Sequence, residues 1–165
     1  MKKSQLSVPI EINVRRTARR VSVQKKRLVE TAVKIVKALG WKRAALSVLL
    51  VDDREIMKWN YRYLNHRRAT DVIAFPQQSK AGMARAKKGT FADPEGRPFL
   101  GDLMISLETA RKQAKTYGNS FFYEVCFYLC HGILHLMGEI DKTKRDAEKM
   151  AETQKRILEK IGINP

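Results

Sequence analysis

Cysteine is almost missing from this chain. There are two, Cys126 and Cys130, four residues apart. Residues at that spacing on one helix cannot form a disulfide without distortion, so both are expected to be buried thiols. Cys130 stands beside His131 and therefore points to a different helix face, which sets it aside as a metal ligand. Acidic residues are also scarce, 17 against 33 Lys and Arg, giving a formal charge of +16 and a pI near 10.1. Such an excess predicts a polyanionic partner, nucleic acid first. From Met1 to Arg43 the sequence carries 13 basic residues and 2 acids, Glu11 and Glu30. A surplus that uneven points to a binding face rather than a diffuse solubility charge. No uncharged apolar run reaches membrane-spanning length, because the longest, Phe121 to Met137, contains Glu124 and two histidines. No apolar segment precedes Glu11, so no secretory signal is expected and a cytoplasmic location follows. Neither an internal repeat nor a domain linker is visible.

Histidine is the third scarcity, and the most informative. Of three in the chain, two are His131 and His135. At i and i+4 on a helix they stack on one face, within reach of one cation. Gly138 suits a left-handed helix end, and the turn it allows lets Asp141 return toward the pair. The pattern H-x3-H-x5-D offers two nitrogens and one carboxylate oxygen, with a position left for water. That set fits catalytic zinc better than structural zinc, which usually closes with thiolate. Two simpler readings stand beside it. The histidines can be hydrogen-bonded core residues, and Asp141 can be the N-cap of the next helix. Glu139 is the rival third ligand, although it follows the glycine very closely. Nickel is a realistic substitute for zinc in an N/O site.

The chain in order predicts a strand over Leu6 to Val14, on a sheet edge because of Pro9. A helix from Val21 to Leu39 ends at Gly40. Ala44 to Val51 is a second strand, and Asp52 and Asp53 cap a helix over Arg54 to Tyr63. Thr70 to Phe75 is a third strand and Phe99 to Ser106 a fourth. Between them, residues 77–98 have no apolar period, and a long basic flap is expected there, with Lys80, Arg85, Lys87, Lys88 and Arg97. Helices follow over Glu108 to Tyr117, from Ser120 through the histidines, and over Lys142 to Ile161. This order predicts one α/β (α+β) domain over residues 1–165: a mixed sheet of about four strands, helices packed on it, and the metal site on a central helix.

These residues resemble the YbeY family of zinc-dependent endoribonucleases that mature ribosomal RNA. The family pattern H-G-x-L-H-L-x-G-Y-D-H is matched by H-G-I-L-H-L-M-G-E-I-D from His131. The family strand T-D-V-L-S-F-P is matched by Thr70 to Pro76, and G-D-I-x-I-S by Gly101 to Ser106. The upstream L-N-x-x-Y-R segment is matched in part by Trp59 to Tyr63. Three positions depart from the family. Its third histidine is Asp141 here, its Tyr-Asp pair is Glu139-Ile140, and its arginine after Tyr63 is Leu64. Zinc accepts a carboxylate oxygen in place of an imidazole nitrogen, at the cost of Lewis acidity.

The resemblance implies one Zn²⁺ per chain on His131, His135 and Asp141, with the zinc-bound water as attacking group. It also implies single-stranded RNA as substrate, small-subunit ribosomal RNA 3′-end maturation and ribosome quality control, and the ribosome or its assembly factors as partners. Arg62, Arg67 or Arg68 are the candidates to replace the missing guanidinium. Arg15, Arg16, Arg19, Arg20 and His66 are candidate RNA contacts, though each is individually also compatible with plain surface. Asp71 and Asp102 are expected to be structural hydrogen-bonders or supports behind the metal ligands. Two other functions compete. A zinc peptidase needs Glu directly after the first His, where this chain has Gly132. A non-catalytic, ribosome-binding assembly factor would use the metal only to hold the fold.

Overall fold

The computed structural model describes residues 9–77 and 92–165. It contains a four-stranded mixed sheet and five helices in the order β1 (Ile10–Arg16), α1 (Lys25–Ala38), β2 (Ala44–Val51), α2 (Asp53–Leu64), β3 (Val72–Pro76), β4 (Phe99–Ser106), α3 (Leu107–Tyr117), α4 (Phe121–Leu136) and α5 (Lys144–Lys160). The spatial order is β1-β2-β4-β3. β1, β2 and β4 run parallel, and β3 is antiparallel to β4. β1 therefore is an edge strand, as Pro9 predicts. Expectations for Leu6 to Val8, and for Lys80, Arg85, Lys87 and Lys88, lie outside the described residues.

Strand parity divides the molecule into two faces. On β1, Ile10, Ile12 and Val14 are buried while Glu11, Asn13 and Arg15 are exposed. The buried set joins Leu46, Val48, Leu50, Leu103 and Ile105 under α1, α4 and α5, forming the main core. On the other face a smaller cluster, Val51, Ile56, Ile73 and Met104, seats α2 with Trp59 and Phe75 packed against it. Alternate strand residues point to opposite sides of the sheet, so α4 and α2 are separated by its thickness.

Helix ends follow local chemistry. Asp52 accepts from Glu55 N at 3.0 Å, Ser106 from Thr109 N and Ser120 from Tyr123 N, each at 3.2 Å. Asp53 is not a second cap. It is the first residue of α2, and its carboxylate takes the Ser106 and Thr109 hydroxyls, each at 2.6 Å, and the Lys112 ammonium at 2.5 Å. Two helix boundaries differ from expectation. α1 begins at Lys25 because Gln24 is extended, and before it Val21 is buried with its carbonyl accepting from Arg16 Nη1 at 3.3 Å. α5 begins at Lys144 behind a capping box in which Thr143 and Asp146 serve each other. Among the described residues, no helix is long and apolar enough to cross a membrane.

Candidate metal centre

The site begins with how α4 sits on the sheet. Gly132 faces β4 so closely that an added Cβ would lie 2.7 Å from Leu103 Cδ2 and 3.0 Å from Val72 Cγ2. The neighbouring His131, and His135 one turn on, turn away from that contact and stay partly open, with 21% and 25% of their side-chain surface exposed. A general-base glutamate at position 132 would drive into the sheet, which removes the peptidase arrangement on steric grounds.

After Leu136 the helix closes in a Schellman motif. Gly138, at φ 84°, donates its N–H to the His135 carbonyl at 2.9 Å, and Glu139 N donates to the Leu134 carbonyl at 3.0 Å. The reversal brings Asp141 back over the histidines. Its Oδ2 lies 3.6 Å from Nε2 of each, and the two Nε2 atoms are 2.9 Å apart. Asp141 does not cap α5, since Thr143 has that role. Glu139 contributes its backbone, with its carbonyl oxygen 2.9 Å from His135 Nδ1. Among the described residues two groups have the spacing to hold a metal: His131, His135 and Asp141, without the Glu139 carboxylate, and Glu11, Asp93 and Glu95. The second already surrounds a cation, because Arg97, expected on a basic flap, is buried and pairs with all three carboxylates.

The protonation pattern follows from the partners. A carbonyl oxygen only accepts, so His135 Nδ1 must carry the hydrogen. His131 Nδ1 lies 3.1 Å from Gln154 Oε1. The orientation of that amide is fixed because its Nε2 donates to the Phe127 carbonyl at 3.1 Å. His131 therefore also carries its hydrogen on Nδ1. Both rings are left turning Nε2 toward one point, together with a carboxylate oxygen. Two Nε2 atoms and a carboxylate oxygen this close satisfy one another only through a shared proton or a shared cation. Tetrahedral zinc with bonds near 2.0–2.1 Å separates its ligand atoms by roughly 3.3 Å. The observed 2.9, 3.6 and 3.6 Å bracket that value, so the residues fit the ion.

Gln154 was missed in the sequence, yet it left a signal there. It interrupts the apolar stripe Met150, Ile157 and Leu158 of α5 and is only 1% exposed. A buried amide on an apolar stripe needs polar partners, and here they are His131 and the α4 backbone. Cys126 and Cys130 are free and fully buried, and burial pushes both thiols up to about 12. They remain protonated and take no part in the metal group.

The other predicted residues are not gathered at this point. Asp102 faces the α2 side of the sheet, where its carboxylate accepts from the Ser47 hydroxyl, and so cannot support the histidines from behind. Asp71 accepts from Thr70 Oγ1 at 3.1 Å and from Val72 N at 2.8 Å. It lines a cavity of about 570 Å³ shared with Tyr123, Glu124 and Tyr128, in the half of α4 that precedes the histidines. Arg62 lies over the Tyr63 ring, 5.9 Å from its centroid, and Arg67 over Tyr61 at 4.9 Å. Arg68 offers its carbonyl to Asn60 Nδ2 at 2.8 Å. All three belong to α2 or the loop after it, and no hydrogen bond or ion pair joins them to the histidines among the described residues. His66 is exposed in the same loop. Arg15 borders the open face of the sheet, Arg16 ends β1, and Arg19 and Arg20 follow in the loop beyond it, all exposed.

Comparison with known proteins fits this geometry. The family model described as "Endoribonuclease YbeY" matches residues 11–162. An Endoribonuclease YbeY of Acetivibrio thermocellus is 38% identical over 119 residues, 72% of this chain and 74% of its own length. One from Desulforamulus reducens is 36% identical over 140 residues, 84% of this chain and 87% of its own. A solution structure from Thermotoga maritima superposes with a TM-score of 0.56 at 22% identity, covering 90% of this chain and 87% of that one, a likeness of fold.

Proposed function

The chain belongs to the YbeY endoribonuclease family, and from that premise we propose that it is a metal-dependent, single-strand-specific endoribonuclease centred on His131, His135 and Asp141. The observation that carries this reading is the convergence of two imidazole Nε2 atoms and one carboxylate oxygen on one point, with both Nδ1 atoms engaged elsewhere. A divalent ion held there, zinc foremost, supplies Lewis acidity for phosphodiester hydrolysis. The chain's own residues do the rest. Gln154 and the Glu139 carbonyl hold the imidazoles in the tautomer that leaves Nε2 free, and the partial exposure of all three ligands leaves an approach for a phosphodiester. Basic side chains neutralise the RNA backbone, consistent with the charge of +16. On this reading the substrate is ribosomal RNA at the small-subunit 3′ end or in defective ribosomes, the partners are the ribosome and its assembly factors, and the location is cytoplasmic.

The test is cleavage of a single-stranded RNA spanning a small-subunit 3′ end, with a duplex of the same sequence as control. Wild type is expected to cut the single strand, to stop when chelated, and to resume on zinc addition. His131→Ala is expected not to cut while keeping its circular dichroism and RNA binding. Cutting that survives complete chelation would contradict the proposal. One observation favours a second reading, a binding factor with a structural metal: Leu64, half-exposed at the end of α2, stands where the family has an arginine. That reading predicts no cutting by wild type and unfolding on metal removal.

A further inference from the structure

Among the described residues, the face of the sheet opposite the histidines is only half covered. Among those residues α2 packs over β4 and β3, leaving Glu11, Asn13 and Arg15 of β1 exposed and Ser47 and Leu49 of β2 half-buried beside it. The uncovered part forms a groove of about 530 Å³, within the range of roughly 300–1,000 Å³ usual for ligand sites. Strand register sets out its floor. One row runs across all four strands as Asn13, Ser47, Asp102 and Phe75. In the next row Arg15 stands beside Leu49 and Met104. The wall is aromatic. Trp59 and Tyr63 stack with centroids 5.3 Å apart and planes 6° apart, and Phe75 meets Tyr63 edge-on at 5.4 Å. Tyr63 is 54% exposed, a large ring surface offered to whatever enters.

We propose that this groove is a second contact site for single-stranded RNA, in which unpaired bases stack against the Trp59–Tyr63–Phe75 wall and the backbone runs along the Arg15 rim. The proposal rests on the endoribonuclease reading for the identity of its ligand. Three features favour RNA over a polypeptide. The aromatic wall is sequence-tolerant, because every base has a stacking face. Asn13 can pair with an adenine edge, and the Asp102 carboxylate, held by Ser47, can accept from an exocyclic amine. That carboxylate also repels phosphates from the floor, while Arg15, with Arg19 and Arg20 beyond it, attracts them to the rim. Bases inward and phosphates outward is the arrangement by which open sheet faces bind single strands.

The experiment titrates the metal-loaded full chain with a short, unstructured 2′-O-methyl RNA, following anisotropy of the labelled strand and tryptophan emission of the protein. Tyr63→Ala is expected to weaken binding about tenfold, and Tyr63→Phe, which keeps the ring, to bind within twofold of wild type. Arg15→Ala is expected to weaken binding and to lower the slope of log affinity against log salt by about 0.7. RNA should quench Trp59 emission, and Trp59→Phe should abolish that quenching, since Trp41 is buried in the core. Unchanged affinity in both Tyr63→Ala and Arg15→Ala overturns the proposal, as does Trp59 emission that RNA does not alter, the result expected if a peptide or another part of this chain fills the groove. The two readings fail separately. Groove variants that bind like wild type while wild type still cuts RNA refute only the groove. A wild type that never cuts, but loses RNA binding in Tyr63→Ala, refutes only the nuclease.

Discussion

The two faces of the sheet are built from the same strands and do opposite things. Toward α4 the strands present Val48, Leu103 and Ile105, all close to fully buried, and the helix descends onto them at Gly132. Polar groups on that side have fixed partners: His131 has Gln154, His135 has the Glu139 carbonyl, and Gln154 has the Phe127 carbonyl. Toward α2 the same strands present Asn13, Ser47 and Asp102, and aromatic rings border open space. A metal site needs ligands held to fractions of an ångström, so it belongs where packing leaves no freedom. A surface for a flexible polyanion needs area, charge and stacking faces, and a half-covered sheet provides them at little cost in stability.

The largest expected effect comes from the residue the two faces share. Gly101 sits at a register irregularity beside β2, at φ 138°, and an added Cβ would lie 2.3 Å from the Phe75 carbonyl oxygen and 2.9 Å from Leu136 Cδ2. Gly101→Ala should therefore lower stability by about 3 kcal/mol, read by denaturant unfolding, and disturb both faces together. A loss below about 1 kcal/mol would mean that β3 can move away freely. Next is Gln154→Ala, which removes the acceptor of His131 without touching a ligand. Zinc affinity should fall by about 10–100-fold in a competition titration, while RNA affinity stays as it is. A fall in RNA affinity of similar size would join the faces into one site.

A smaller effect is expected at the junction of α2 and α3. Burial raises the Asp53 carboxyl, but the Lys112 ammonium and the Ser106 and Thr109 hydroxyls outweigh it, leaving the group below its usual range. A depressed folded-state value stabilises the fold above the unfolded value of 3.8, and that contribution is lost as pH falls through the folded one. Asp53→Asn should cost about 1 kcal/mol at pH 7, and the difference from wild type should shrink as pH falls below 3.8. The smallest effect is a null result. Burial holds both thiols up at about 12, so neither Cys126 nor Cys130 should be alkylated at pH 8 without denaturant.

What could be read in the sequence was what short spacing determines. β2 and β4 were expected over the residues they occupy, because their apolar runs end in turn and cap residues. The approach of Asp141 to His131 and His135 was legible because a helix, a left-handed glycine and a short turn leave the chain few paths. What escaped depended on long-range packing. Gln154 reaches His131 from 23 residues away. Asp102 shares a motif with Gly101, yet parity on β4 sends it to the opposite face, and only the register reveals which face holds the histidines. Arg62, Arg67 and Arg68 are close in sequence to the motif strand, but α2 carries them to the other side of the sheet. The aromatic wall joins Trp59 and Tyr63, four apart on α2, to Phe75 on β3, a juxtaposition no periodicity predicts.

The most direct measurement is the zinc content per chain of protein purified without a histidine tag, wild type beside Asp141→Ala and Glu139→Ala. Three converging ligands predict one zinc in wild type and in Glu139→Ala, and zinc lost or sharply weakened in Asp141→Ala. Equal zinc in wild type and Asp141→Ala, or none in wild type supplied with the ion, would contradict a metal centre at His131, His135 and Asp141.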